Sequence, residues 1–381
     1  MSNTKKILVT GSNGFLGSNL IKSINSNNEI DIVQINREMF LDISKYLDSD
    51  SNIIFHFAGV NRPKKVSEFE KYNSDLTNRL CFELEKFIKT NQKKFTIVYA
   101  SSIQAKLDNP YGKSKLKAEN YLINLCKKFD FPLYIYRLPN LFGKWCKPNY
   151  NSVVATFCYN VANNLPIKVS EPEKEIQLTY IDDVITEFLN IIACDNRTYS
   201  NNPIFYIDNV HSISLEKLAY YIKRFHKERK DLFIQNVGDG FLRKLYSTYL
   251  SYTSPKNFSY LIPKYSDERG DFVEMLKTTS SGQFSYFTAK KGVTRGNHYH
   301  HTKNEKFLVI KGIAKFYFIN IKTLEKFSLI TNGDTPEIVD SIPGWSHSIK
   351  NIGESDLVVA LWANEVFNPK NPDTFHYKQI D

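Results

Sequence analysis

Three glycines spaced by two residues, Gly11, Gly14 and Gly17 in KILVTGSNGFLGSNLIKSI, constrain this chain more than any other feature in it. A short apolar run, Ile7 to Thr10, leads into the first glycine, and a helix with Phe15, Leu16, Leu20 and Ile24 on its apolar face follows the turn. Strand, glycine turn and helix together make a phosphate cradle. The first glycine permits the turn, the second lets the backbone approach a pyrophosphate, and the third lets the helix pack close to the sheet. The free N–H groups of the helix end face the phosphates. Two further strands, in DIVQINR and NIIFHFAG, make a βαβ series and predict a parallel α/β sheet of Rossmann type. A cofactor lacking the 2′-phosphate meets an acidic residue at the end of the second strand; here Asn36 and Arg37 stand there, and Arg37 points to NADPH.

A chain of 381 residues exceeds the usual size of one domain, and its 42% hydrophobic content suits packed cores. No apolar leader and no long apolar run is present, so a soluble, cytoplasmic protein with no membrane partner is expected. Five cysteines without a CxxC pair suit free thiols. The net charge of +10 is scattered in pairs such as Lys64-Lys65, which gives no footprint for nucleic acid.

The buried strand FTIVYASSIQA ends in Ser101 and Ser102, and NPYGKSKLKAENYL follows with Tyr111 and Lys115 four apart on one helical face. An ammonium beside a phenol, together with the cofactor's positive charge, favours the phenolate and brings its pKa toward neutrality, which makes a tunable proton donor. The serine would bond the substrate oxygen. With these residues in register, residues 1–245 resemble an extended short-chain dehydrogenase/reductase acting on nucleotide sugars. HFAGVNRP, Asn73, YRLPNLFGKW and LTYIDDV extend the likeness. The resemblance implies that Phe15, Leu16, Ala58 and Gly59 join the glycines, Asn36, Arg37, Tyr111 and Lys115 around the cofactor. It also implies that Asn61, Asn140 and Gln177 line the sugar-nucleotide groove, and it favours Ser102 over Ser101 as the catalytic serine.

Past LYSTYLSYTSPKNFSYLIP the helical pattern yields to short alternating strands, which predicts an all-β barrel over residues 256–381. Within it, His298 and His300 share one side of a strand, Glu305 follows across a turn, and His347 comes from IPGWSHSIKN. Such a set can surround a divalent metal, zinc being the natural choice, with His301 replacing His300 if the strand is bulged. The spacing resembles the cupin family, a jelly-roll barrel. DERGDFVEMLK and the histidine segment also resemble the deoxyhexulose 3,5-epimerases. That likeness implies His298 as the base, Lys306 as the enolate-stabilising cation, and Arg269 and Glu274 as substrate contacts.

The full order of segments resembles the CapF family of bifunctional capsular-polysaccharide enzymes. It implies a homodimer acting on a UDP-linked 4-keto-6-deoxy amino sugar, epimerised at C3 by the barrel and reduced at C4 with NADPH. A proton at C3 is acidic only while C4 is a ketone, so epimerisation precedes reduction. The alternative is a single-activity 4-reductase whose barrel serves dimerisation.

Overall fold

The computed structural model describes residues 5–24, 30–48, 51–193, 202–267, 270–273, 276, 282–365 and 370–377. Two compact units divide the chain, one of Met1–Ser152 with Ile176–Ser212, the other of Val153–Glu175 with Ile213–Asp381. The sequence places the boundary at 245–256, where helices give way to strands. Compactness groups the chain differently because one helix from mid-chain packs with two that precede the barrel. The longer helices are α1 (Phe15–Ile24), α2 (Leu76–Asn91), α3 (Pro110–Phe129), α4 (Val153–Ala162), α5 (Ile181–Ala193), α6 (Leu215–Asp231) and α7 (Gly240–Leu250). Of these, α4 packs on α6 and α7, which carries it into the second unit.

The strands of the first unit are β1 (Lys5–Thr10), β2 (Ile30–Ile35), β3 (Ser51–His56), β4 (Thr96–Ser102), β5 (Leu133–Leu138), β6 (Asn140–Phe142), β7 (Glu175–Tyr180) and β8 (Ile204–Phe205), and β9 (His211–Ser214) closes the series. Six of them form a wholly parallel sheet in the order β2-β1-β3-β4-β5-β8, and β6, β7 and β9 form a small separate one. Ile7, Leu8 and Val9 are completely buried, as a parallel strand covered on both faces requires. Leu8, Ile54 and Tyr99 pack with Leu80 and Leu84 of α2 and Leu122 of α3. On the other face, Phe55 and Tyr136 meet Phe188 of α5 at ring distances of 5.6 and 5.2 Å.

In the second unit come β10 (Ser259–Leu261), the hairpin β11 (Lys264–Asp267) and β12 (Gly270–Val273), then β13 (Gln283–Ala289), β14 (Thr294–Tyr299), β15 (Glu305–Lys311), β16 (Ile313–Asn320), β17 (Lys326–Asn332), β18 (Glu337–Asp340), β19 (Trp345–Asn351), β20 (Leu357–Ala363) and β21 (Phe375–His376). Two five-stranded antiparallel sheets result, β10-β18-β15-β20-β13 and β17-β16-β19-β14-β21, which is the expected jelly-roll class. Phe307 of the first meets Phe316 and His347 of the second at 5.8 and 5.6 Å, so Glu305, Phe307 and Val309 of β15 face inward, up to the register shift before Lys311. Leu308 on the outer face packs with Leu232, Ile262 and Ile338 instead.

Among the described residues no helix is long and apolar enough to cross a membrane, and Cys81, Cys126, Cys146 and Cys158 are not joined in disulfides.

Candidate active sites

Because the large sheet is parallel, every βα turn leaves from one edge, and the cofactor residues expected from the sequence gather there. Gly11 follows β1, Asn36 and Arg37 follow β2, Ala58 and Gly59 follow β3, and Ser102 ends β4. Gly11 adopts φ +69°, and a Cβ on it would come within 2.8 Å of the Ala58 nitrogen. A Cβ on Gly17 would lie 2.4 Å from the Gly11 carbonyl oxygen, so α1 can start this close to the turn only with glycine there. Gly14 is exposed, its N–H bonded to the Gly11 carbonyl at 2.9 Å. Phe15 and Leu16 are half-buried beside it. The exposed Arg37 guanidinium lies 5.1 Å over the Tyr72 ring, and Asn36 Oδ1 accepts the Met39 N–H at 2.9 Å.

Asn109 caps α3 by accepting the Gly112 N–H at 2.8 Å, and Pro110 fills the first helical position. A Cβ on Gly112 would sit 2.1 Å from the Gln104 carbonyl oxygen, so glycine lets the helix start against the turn that follows β4. That contact sets Tyr111 beside Ser102, close enough for the serine to act on the phenol. The two serines part company here. Ser101 donates to Glu119, whose carboxylate is held by Arg137 at 2.6 Å, whereas Ser102 accepts the Gln104 N–H at 3.2 Å and meets Tyr111. Lys115 is buried; its Nζ donates to the Ala100 carbonyl at 2.7 Å and lies 4.4 Å over the Tyr99 ring. Burial pushes Lys115 down to about 7 against the opposing pull of Glu119. Burial likewise raises the Tyr111 phenol, with only the neighbouring Ser102 pulling it down. In the protein alone Lys115 does not lower Tyr111, because Lys115 is itself desolvated and engaged by a carbonyl; the expectation also drew on the cofactor's positive charge.

Asn61 is exposed on the loop after β3. Asn140 and Gln177 lie side by side, the Asn140 amide donating to the Gln177 carbonyl at 3.2 Å. Arg269 and Glu274 lie outside the described residues. Residues given no role in the sequence reading hold this edge in place. Asn73, singled out only by family likeness, accepts the Val60 N–H at 2.7 Å and donates to Ser114 Oγ at 3.0 Å, and Ser114 donates to the Tyr111 carbonyl at 2.7 Å. His56 bridges Thr10 (2.7 Å) and Thr77 (3.0 Å) beneath the turn, and burial, then the Lys115 charge, pushes it down to about 3. A histidine inside an apolar strand and a glutamate one turn after Lys115 were the available signals.

In the barrel, His298, His300, Glu305 and His347 converge, their ligand atoms all within 4.8 Å of one another. His298 and His347 come from one sheet and Glu305 from the other, so the cluster lies between the sheets. Asn297 at φ +61° and a register shift between Gly296 and His298 mark the bulge in β14. His300, not His301, turns inward: His301 packs on Phe375 at 4.7 Å. Glu305 Oε2 lies 3.1 Å from His300 Nε2 and 3.4 Å from His347 Nε2. Burial alone would raise Glu305, yet His300 and His347 hold it well below the carboxylate range. Burial, then His347 and His300, pushes the half-buried His298 down to about 3. His300 Nδ1 faces the Asp373 carbonyl, which can only accept, so Nδ1 carries a proton, and Nε2 meets Glu305 either as an N–H donor or through a cation that both atoms bind. Two acceptors 3.1 Å apart repel unless a proton or cation lies between them, and a His/Glu donor set of this size fits a divalent metal.

Lys306 does not join this cluster. Side chains alternate along a strand, and with Glu305 facing inward Lys306 faces out, where Nζ donates to Asp340 Oδ1 at 2.8 Å and to the Tyr260 hydroxyl at 3.2 Å. Arg229 of α6 holds the other Asp340 oxygen at 2.7 Å. The pairing of His298 with Lys306 expected from the sequence is thus corrected: the two side chains lie on opposite faces of the sheet that carries Glu305.

The description "NAD dependent epimerase/dehydratase family" matches residues 7–203, and "Polysaccharide biosynthesis C-terminal domain" matches residues 265–375. A UDP-2-acetamido-2,6-beta-L-arabino-hexul-4-ose reductase from Pseudomonas aeruginosa is 48% identical over 370 residues, covering 97% of this chain and 98% of its own. The crystal structure of the capsular polysaccharide assembling protein CapF from Staphylococcus aureus is 39% identical with a TM-score of 0.64, covering 98% of this chain and all of that one. A UDP-glucuronic acid 4-epimerase from Bacillus cereus shares the fold alone, at 19% identity, a TM-score of 0.51, and coverage of 58% of this chain and 82% of its own. With its glycine turn, Tyr111–Ser102 contact and jelly-roll unit arranged in this order, the chain belongs to the NAD dependent epimerase/dehydratase family, as a nucleotide-sugar enzyme of the CapF type in polysaccharide biosynthesis.

Proposed function

We propose that the chain converts a UDP-2-acetamido-2,6-dideoxy-4-hexulose in two steps, C3 epimerisation in the barrel and then NADPH-dependent C4 reduction in the first unit, giving UDP-2-acetamido-2,6-dideoxy-β-L-talose. The observation that carries the reduction is the placement of Tyr111 beside Ser102 at the end of β4, one helical turn from a buried Lys115. In this reading Ser102 bonds the C4 carbonyl oxygen, Tyr111 delivers the proton to it, and Lys115 holds the nicotinamide ribose. NADPH supplies the hydride. Gly11, Gly14, Phe15, Leu16, Gly17, Ala58 and Gly59 hold the dinucleotide, and Asn36 and Arg37 meet its ribose and 2′-phosphate. Asn61, Asn140 and Gln177 take the UDP-sugar.

In the barrel, His300, Glu305 and His347 hold a divalent ion, zinc by donor chemistry, with His298 as fourth donor. Held by three of these donors with a position left open, the ion would supply Lewis-acid polarisation of a carbonyl. One imidazole cannot give its lone pair to a cation and to a proton together. His298 therefore acts as the epimerising base only where the other three donors alone hold the ion. Lys306 has no part in that step.

The second reading, a single-activity 4-reductase whose barrel serves a homodimer, is favoured by the outward turn of Lys306. The Pseudomonas aeruginosa relative is also named only as a reductase. The two readings separate by NMR of the product formed from the 4-keto UDP-sugar in deuterated water. Tyr111→Phe should lose NADPH oxidation by about 10²–10⁴-fold while keeping deuterium exchange at C3 without NADPH. Loss of both activities counts against separate sites, and no exchange in the parent chain leaves the reductase reading.

A further inference from the structure

The histidine–glutamate cluster is closed by a residue about seventy positions from His300 and Glu305 in the chain, in a short C-terminal segment that no sequence feature marks. That segment pairs with β14, His376 opposite His298 and Phe375 opposite Tyr299, and the Tyr377 N–H donates to the Asn297 carbonyl at 2.8 Å. Asp373 stands at its start. Its Oδ1 accepts the His301 N–H at 2.9 Å, and its Oδ2 accepts the N–H groups of Thr302 and Lys303 at 2.6 Å each and the Thr302 hydroxyl at 2.8 Å. Three consecutive backbone N–H groups converging on one carboxylate form an anion nest, and here the chain fills it with its own side chain. The turn so held, 301–304, joins His300 directly to Glu305. The backbone carbonyl of the same residue accepts from His300 Nδ1.

We propose that Asp373 is the positioning residue of the metal site: its carboxylate fixes the turn that sets the distance between His300 and Glu305, and its carbonyl fixes the His300 tautomer that aims the Nε2 lone pair at the ion. The inference rests on the metal reading given above. Two ligands then depend on one side chain that touches no ion. Partners that orient metal-bound histidines contribute about 10–100-fold in metal affinity, which sets the size of the effect. Arg243 stands 3.8 Å from the same carboxylate and is ion-paired with Glu365, so Asp373 is fastened to α7 as well as to the turn.

The test is a Co²⁺ titration of the full-length chain, read by visible absorption and by competition with a chelator, on the parent, Asp373→Ala, Asp373→Asn and Thr302→Val. The parent binds Co²⁺ with the intense bands of a low-coordinate site. Asp373→Ala weakens binding about 10–100-fold and alters the band shape, Asp373→Asn falls between because one oxygen still accepts, and Thr302→Val, which removes one of the bonds to Asp373, stays near the parent. A parent that does not bind Co²⁺ overturns the metal reading itself. A parent that binds, with both Asp373 variants matching it in affinity and spectrum, overturns the role of Asp373 and leaves the metal reading intact. If Asp373→Ala fails to fold, the Asp373→Asn spectrum decides, and a lowered melting temperature with unchanged Co²⁺ affinity and bands marks Asp373 as structural only, against the proposal.

Discussion

Replacing Lys306 by methionine separates the strand geometry from the epimerase likeness. Lys306 and Asp340 are 7% and 2% exposed at the side chain, and their 2.8 Å contact is joined by the Tyr260 hydroxyl at 3.2 Å. Burial alone would lower the Lys306 ammonium, yet Asp340, Tyr246 and Tyr260 hold it well above the usual lysine range, so it stays charged and moves no proton near neutrality. Leaving a buried charge without a partner costs about 3–5 kcal/mol. Asp340 keeps Arg229 at 2.7 Å, however, so the loss is nearer that of one charge-assisted hydrogen bond, about 1.5–3 kcal/mol. For a unit of this size that lowers the melting temperature by roughly 3–12 °C. Calorimetry reads this shift, and deuterium incorporation at C3 and Co²⁺ affinity are measured at a temperature where the variant is folded. The expectation is a less stable protein with parent-like exchange. A variant of unchanged melting temperature whose C3 exchange falls by 10²-fold or more, the scale of a lost catalytic group, refutes the reasoning and returns Lys306 to the substrate.

The two serines at the end of β4 should respond oppositely. Ser101→Ala withdraws a donor from buried Glu119 and destabilises by about 1–3 kcal/mol with turnover little changed, whereas Ser102→Ala lowers kcat of reduction at near-parent stability. A kcat loss in the first and none in the second assigns the chemistry to Ser101. For pH, an unfolded chain protonates His56 below 6.5 while the folded protein resists to about 3. Stability is thus complete above the ordinary histidine value and lost as pH falls, at about 1.4 kcal/mol per pH unit between those limits. Urea unfolding at several pH values should show this slope flattened in His56→Gln, and an unchanged slope removes His56 as its source.

The strand–glycine–helix opening and the four-residue spacing of Tyr111 and Lys115 are local facts, readable because turn, cap and helix periodicity depend on neighbours in sequence. So is the alternation that predicted the barrel strands. Gly11 and Gly17 were legible for the same reason, since only glycine tolerates the φ and the close carbonyl that the turn creates. The choice between Ser101 and Ser102 was not legible from the residues, because it depends on which hydroxyl Glu119 and Arg137 claim from a helix and a strand far away in the chain. The Tyr111 shift in the protein alone was not legible either: desolvation of the half-buried Tyr111 and the buried Lys115 depends on distant packing and outweighs the local charge that the spacing suggests. Lys306 shows the converse, since period-two alternation could have placed it opposite Glu305 once Glu305 was known to face inward, but only the stacking of two sheets decides which face is inward. Asp373 and the unit boundary belong wholly to the tertiary structure. Sequence patterns report what a residue's neighbours along the chain require; a carboxylate answering three N–H groups from another segment, or a mid-chain helix packing on two later ones, becomes visible only when distant segments meet.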